Sequence, residues 1–194
     1  GIDILAHEDA IHEIEENSHS ILERMKSYNG DKAAGTEVVI PNKSFSEKSI
    51  FTLGGLEFHV LYLGPAHGPG DTQVWLPQLS LMIAGDMAFH ERMLPIFENT
   101  CTKCWLETWD ANFAPLNATY IIPGHGHPTN MAQVTRFTRD YLMDLRAKVS
   151  EVLENDGDLA KAFYVDQERW RSLDTFEELA KRNAGRVFEE MEFE

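Results

Sequence analysis

Three short stretches of the 194-residue chain carry residue types that bind metal ions: Gly64-Pro65-Ala66-His67-Gly68-Pro69-Gly70-Asp71-Thr72, Ala84-Gly85-Asp86, and Ile121-Ile122-Pro123-Gly124-His125-Gly126-His127-Pro128. Each sets a histidine or an aspartate after an apolar run, beside glycines that let other groups approach. Any one of them alone reads as a hydrogen-bonded loop residue, so the case rests on the three in order. Neutral imidazole is a good zinc ligand, a carboxylate can bridge two divalent ions, and ligands at strand ends are held by a sheet. Two histidines and one aspartate are half of a two-metal site, whose chemistry is to bring the pKa of bound water toward neutrality and polarise the bond to be cut. Hydrolysis is the reaction class these residues support, with Asp86 as the group nearest the chemistry.

The elements that must position them follow from the hydrophobic pattern. Ile2-Asp3-Ile4-Leu5 predicts a short strand, and Ile11, Ile14, Ile21, Leu22 and Met25 recur at helical steps, predicting a helix with one buried face. Tyr28 to Gly35 and Pro41 to Lys48 read as loops. Residues 49–63 predict a hairpin turning at Gly54-Gly55. Gln73 to Pro77 and Leu79 to Ala84 predict two more strands, the second ending at Gly85-Asp86, and Tyr120-Ile121-Ile122 a strand stopped by Pro123-Gly124. Helices are expected over Cys101–Leu116, over Met131–Val152, and from Asp174, where Glu177 three residues on resembles a capping box. Strands and helices mixed in one chain predict a single α/β or α+β domain over residues 1–194, one mixed sheet with flanking helices.

Composition narrows the partners. Seventeen Lys and Arg against 32 Asp and Glu give a net charge of -15, opposite in sign to the basic patch with which proteins track phosphates, so neither nucleic acid nor an anionic membrane is an expected partner. No apolar run approaches the roughly 18 residues of a membrane span, and no basic-then-apolar leader opens the chain. A soluble protein is expected, cytoplasmic or periplasmic. Cys101 and Cys104 alone close no four-ligand metal cage and read as two ordinary thiols.

The remaining candidates have plain readings beside sharp ones. His12, Glu16 and His19 share a helix face among acidic neighbours and read as solvated surface. His127 reads as a turn residue or as support for a ligand. Phe89, His90 and Met93 are pocket wall or packing in equal measure. Asp71 and Thr72 read as loop-holding residues, the aromatic positions Trp105, Trp109, Phe113 and Phe137 as core, and the acidic C-terminal end as a solvated helix face.

The stretch GPAHGPGDTQVWLPQLSLMIAGDMAF, followed by IIPGHGHP, resembles the second half of the metallo-β-lactamase-fold hydrolases in the order that family shows. His67 and Asp86 stand 19 residues apart and Asp86 and His125 39, and RNAGRVFEEMEFE at the C-terminus is also similar to family members. The resemblance implies a zinc enzyme with up to two ions: His67 on the first, Asp86 bridging both, His125 on the second. It implies a metal-activated hydroxide attacking an ester, thioester, lactone or lactam carbonyl of a small-molecule substrate. An aspartate at the bridging position is similar to the broad hydrolases of the family rather than to its zinc β-lactamases. The family's H-x-H-x-D-H signature is absent, and the chain starts at Gly1 without Met. The expectation is therefore the C-terminal part of a longer αββα sandwich. Each ion would keep two donors, short of four-coordinate closure, so tight zinc binding by this chain alone is not expected. A sheet built to face another sheet would leave an apolar surface exposed, and a homodimer or element swap is expected to cover it. The contrasting expectation is a non-catalytic scaffold that keeps part of a metal site.

Overall fold

The computed structural model describes residues 2–194. Five strands form the main sheet in sequence order: β3 (Lys48–Leu53), β4 (Leu56–Tyr62), β5 (Thr72–Leu76), β6 (Leu81–Phe89) and β7 (Tyr120–His125). The first four are antiparallel, and β7 joins β6 in parallel after a helical crossover, which makes the sheet mixed. Two short parallel strands, β1 (Leu5–His7) and β2 (Lys43–Phe45), stand apart with helix α1 (Glu8–Asn29) between them. The crossover carries α2 (Thr102–Thr108), which runs on as a π turn to Phe113. The chain ends in α3 (Met131–Val134), α4 (Asp140–Glu154), α5 (Leu159–Ala162) and α6 (Phe176–Met191). No helix among the described residues is long and apolar enough to cross a membrane.

The period-two alternation of the strands sorts their residues onto two faces. One cross-strand row, Trp75, Met82 and Ile121, faces the helices, where Met82 and Ile121 are fully buried with Trp105, Trp109, Phe113, Leu145 and Val187. Of the four aromatics expected in the core, Trp105, Trp109 and Phe113 lie there and Phe137 packs at its edge. The opposite face carries Val74, Ile83 and Ile122 in one row and Phe51 stacked on Phe58 in the next, with Leu53, Leu81 and Tyr120 beside them. Ile83, Ile122, Phe51, Leu53 and Tyr120 all remain exposed. The β1–β2 unit caps only the end of this face, where the His7 ring stacks on Tyr62 at 3.8 Å.

Several expectations are corrected. Helix α1 fully buries none of its residues; its stripe of Ile11, Ile14, Leu22 and Met25 is only half-buried. The segment expected as a loop from Pro41 to Lys48 contains β2, which pairs with β1 through backbone bonds that its polar side chains do not signal. Strand β6 runs through Asp86 to Phe89, and β7 runs through Pro123 and Gly124 to His125, since the parallel pairing survives two register shifts. The last helix starts one residue after the expected cap, on Thr175 in the left-handed region (φ 63°) with no side-chain cap, so the Asp174–Glu177 capping box does not form. Its acidic end is only partly solvated: Glu190 pairs with Arg146, as does Glu194 beyond it. Cys101 and Cys104 are joined in a disulfide, not free thiols, because the first turn of α2 brings the two side chains together.

A buried polar chain ties the crossover to the closing helices. The Asn183 side chain accepts from the Ile96 N–H at 3.0 Å and donates to the Leu94 carbonyl at 2.7 Å and to the Tyr141 hydroxyl at 2.9 Å. Tyr141 donates to Gln167 Oε1 at 3.1 Å, and Gln167 donates to the Ala180 carbonyl at 2.8 Å. Asn183 is fully buried, so removing its amide strands backbone groups without water. Asn183→Leu is expected to lower the unfolding free energy by about 3 kcal/mol in urea titrations; a loss below about 1 kcal/mol would show that the chain of bonds is not structural.

Candidate metal site between β6 and β7

The loop from Leu63 to Thr72 that carries His67 is held from several sides. Asn112 donates to the Leu63 carbonyl at 2.7 Å, Thr108 to Pro65 at 2.8 Å, and Thr100 to the His67 carbonyl at 2.9 Å. Asp71 Oδ2 accepts the Gly68 N–H at 2.8 Å, and Thr72 donates to the Gly70 carbonyl at 3.2 Å, the loop-holding roles expected of both residues. The His67 ring sits among Phe97, Trp105 and Phe89, with centroids 5.1, 5.6 and 5.8 Å away. Trp105 is itself fixed by donating from Nε1 to the Met87 carbonyl at 3.1 Å.

Asp86 projects from β6 just after the first register shift, where Gly85 adopts φ 54°, a conformation that L side chains rarely take. Across from it, a Cβ on Gly124 would collide with the Asp86 carboxylate and with the Gly85 backbone. The end of β6 is pinned by Thr138, whose hydroxyl accepts the Phe89 N–H at 2.8 Å. Thr138 lies in the π turn Thr135–Arg139 ahead of α4, the kind of helical bulge that re-aims a side chain. His125 ends β7, its ring stacked on Phe89 at 5.1 Å.

The three expected residues therefore meet. His67 Nε2 lies 3.7 Å from Asp86 Oδ2, and His125 Nε2 lies 3.6 Å from Asp86 Oδ1. These separations exceed a hydrogen bond. They suit an ion between each pair, because two ligands about 2.1 Å from a tetrahedral zinc stand about 3.4 Å apart. His67 Nδ1 is buried and makes no hydrogen bond of good geometry, the Pro95 backbone standing near the ring. Burial pushes the His67 imidazole pKa down, with the Asp86 charge opposing, so the ring is held neutral as a metal ligand requires. The donor chemistry thus fits divalent ions at two positions with two donors each. Among the described residues no group of three or more His, Cys, Asp or Glu is arranged to hold a metal by itself, so further donors have to come from elsewhere.

Arg92 was not singled out by sequence. Its Nη1 lies 2.7 Å from His125 Nδ1 and 3.1 Å from Nε2. The other candidates lie aside: His127 pairs with Glu91 at 2.6 Å on the surface, which holds its pKa up, and His12 pairs with Glu16 in solvent. Phe89 and Met93 are fully buried packing rather than pocket wall. The His90 ring nitrogen bonds the His127 carbonyl at 3.0 Å.

No family model matches the chain. It is 27% identical over 99 residues to metallo-beta-lactamase type 2 of Bacteroides fragilis, a stretch covering 50% of this chain and 40% of that protein. Among solved structures, the stereoselective inverting sec-alkylsulfatase Pisa1 from Pseudomonas sp. superposes with a TM-score of 0.71 at 16% identity, over 96% of this chain and 36% of that one. A metallo-beta-lactamase family protein from Thermus thermophilus gives 0.62 at 18% identity, over 100% of this chain and 68% of that one. The chain has the metallo-β-lactamase fold. It spans about two-fifths of the length of the curated relative it matches. Within the metallo-β-lactamase fold it supplies one mixed sheet and its helices, with His67, Asp86 and His125 gathered where two strands meet.

Burial raises the Asp71 carboxyl from 3.8 to about 6, the Gly68 N–H opposing and the Asp86 charge adding to the rise. A carboxyl with a raised folded pKa costs nothing below the unfolded value, where both states are protonated. It costs most above the folded one, where the buried group must ionise. The contribution of Asp71 to the stability of the metal-free chain should therefore fall from about pH 4 to about pH 6. Asp71→Asn should remove this loss, gaining up to about 3 kcal/mol over wild type at pH 7 and nothing at pH 4. Urea unfolding at both pH values checks it, and a gain equal at the two would refute the assignment.

Proposed function

We propose that this chain carries part of the active site of a zinc-dependent hydrolase acting on an ester, thioester, lactone or lactam carbonyl of a small molecule. The observation that carries the reading is the Asp86 carboxylate with each of its oxygens turned to a different imidazole. His67 and Asp86 Oδ2 would hold a divalent ion, and His125 and Asp86 Oδ1 mark the place for a second. Such an ion, when bound, supplies Lewis acidity and lowers the pKa of water at the site. The chain's own residues do the rest. Phe89, Phe97 and Trp105 keep water from the inner side of His67 and fix its ring, and Asp86 supplies the negative charge that a cation needs beside an apolar wall. The fold is one that the named β-lactamase and alkylsulfatase relatives share, so a sulfate ester belongs among the substrates tried.

The test is hydrolysis of p-nitrophenyl acetate, an acyl thioester, a homoserine lactone, nitrocefin and an alkyl sulfate with added zinc, alongside metal content by plasma mass spectrometry. Whatever zinc uptake and zinc-dependent turnover the wild-type chain shows is expected to be abolished in Asp86→Ala and cut at least tenfold in His67→Ala. Rates and metal content unchanged in both variants would refute the role of these residues, and no turnover or zinc in wild type would leave the chain a scaffold without catalysis.

The same reading includes a partner. The exposed rows through Ile83, Ile122 and Phe51 are the kind of contiguous apolar surface through which chains pack, and a homodimer through this face is part of the proposal. Analytical ultracentrifugation at micromolar concentration should show a dimer that Ile83→Lys with Ile122→Lys converts to monomer. A clean wild-type monomer rules the dimer out.

A further inference from the structure

Arg92 is launched toward the site from a fixed point. Glu91, in the left-handed region at φ 63°, and Met93 both bond the backbone of Asp174, by Asp174 N–H to Glu91 O and Met93 N–H to Asp174 O, each at 3.0 Å. The neighbouring Glu91 carboxylate is taken by His127. Arg92 makes no ion pair within 4.0 Å among the described residues. Its Nη1 is within 3.1 Å of both nitrogens of the His125 ring. The two ring lone pairs diverge, so one nitrogen cannot lie along both. The guanidinium lies against the ring and sets a fixed positive charge 3.1 Å from Nε2, the atom that faces Asp86 Oδ1. Among the described residues no cation bonds the His67 ring, which is enclosed by aromatic rings, with Arg182 lying over the Phe97 ring.

We propose that Arg92 biases this site toward one resident divalent cation: its guanidinium lies against the His125 ring and repels a second ion held between His125 and Asp86. The inference rests on the hydrolase reading in taking a divalent cation as the ligand of His67 and Asp86. It goes further in making the two imidazoles unequal. Guanidinium and dication repel at a separation of a few ångström, so the charge on Arg92 weakens the hold of the second position on an ion. Even at the dielectric of water, a unit charge about 5 Å from a dication weakens its binding by about tenfold.

The experiment is a titration of the chain with Zn²⁺ alone, followed by the ¹H–¹⁵N imidazole resonances, with His67→Ala and His125→Ala used to assign the two rings. In wild type, His67 is expected to respond first and His125 only at tenfold or more higher zinc. Arg92→Gln, which keeps length and loses charge, should bring the His125 midpoint down about tenfold. Arg92→Lys, which keeps the charge, should leave the midpoint near wild type, and circular dichroism checks that both variants fold. A His125 midpoint unchanged in Arg92→Gln, or rings that titrate together in wild type, would overturn the role of Arg92 and leave the metal reading standing. If neither ring responds in any of the proteins, the metal reading fails and this inference with it.

Discussion

Strand β7 runs close enough to β6 for a carboxylate to stand between two imidazoles because position 124 has no side chain. A Cβ there would occupy the space of Asp86 itself. On the β6 side, Gly85 accepts a backbone conformation that turns the strand between its two register shifts, so that Asp86 leaves the sheet rather than alternating into it. The two glycines act together, one aiming the carboxylate and the other leaving room for it. The helices then matter to the site through what they fix. Thr138 pins the end of β6 and Trp105 the Met87 carbonyl, while Thr100, Thr108 and Asn112 hold the loop that brings His67 in from the other side. Ligand geometry is thus inherited from the packing of α2 and α4 on the sheet, which is how a rigid scaffold holds donors to a few tenths of an ångström.

The sequence carried the strands best where alternation and turn residues agree. The Gly54-Gly55 hairpin, the run from Gln73 and the parallel strand at Tyr120 all stand where the pattern places them. It also carried the order His67, Asp86, His125, because ligand types beside glycines after apolar runs survive as a signal even without a signature motif. Other features left no local trace. Strand β2 is made of Lys43, Ser44 and Phe45, whose pairing with β1 is a long-range backbone event. Strands β6 and β7 continue past residues that read as stops, since Pro123 sits at an edge where its missing N–H is not needed. Arg92 could not be picked out because its partner, His125, is a tertiary neighbour, and an arginine six residues after an aspartate has no meaning until the chain is folded.

Helix α1 shows how a correct pattern can mislead. Its apolar residues recur at helical spacing and the helix forms, with the His7 side chain accepting the Asp9 N–H at its start and Lys26 in its last turn. None of its residues is buried, and Ile21 stands in solvent. The same holds for the rows of Ile83 and Ile122 on the sheet. Amphipathic pattern predicts that a face seeks a partner, and both elements present such faces.

The two imidazoles meet Asp86 in different electrical surroundings, and this difference orders the chemistry. The His67 side chain is 11% exposed and walled by three aromatic rings, so a cation there is compensated by one carboxylate oxygen and by little else. His125 is 37% exposed, open to solvent, and already faced by a guanidinium. On a chain of net charge -15 the general field favours cations everywhere, yet screening leaves only near neighbours to decide between positions a few ångström apart. Desolvation raises the worth of the Asp86 charge on the His67 side, where there is little water to compete with it. On the His125 side Arg92 sets a positive charge of its own against a cation. A single carboxylate shared between a dry, aromatic-walled imidazole and a wet, arginine-faced one therefore favours filling the first position before the second.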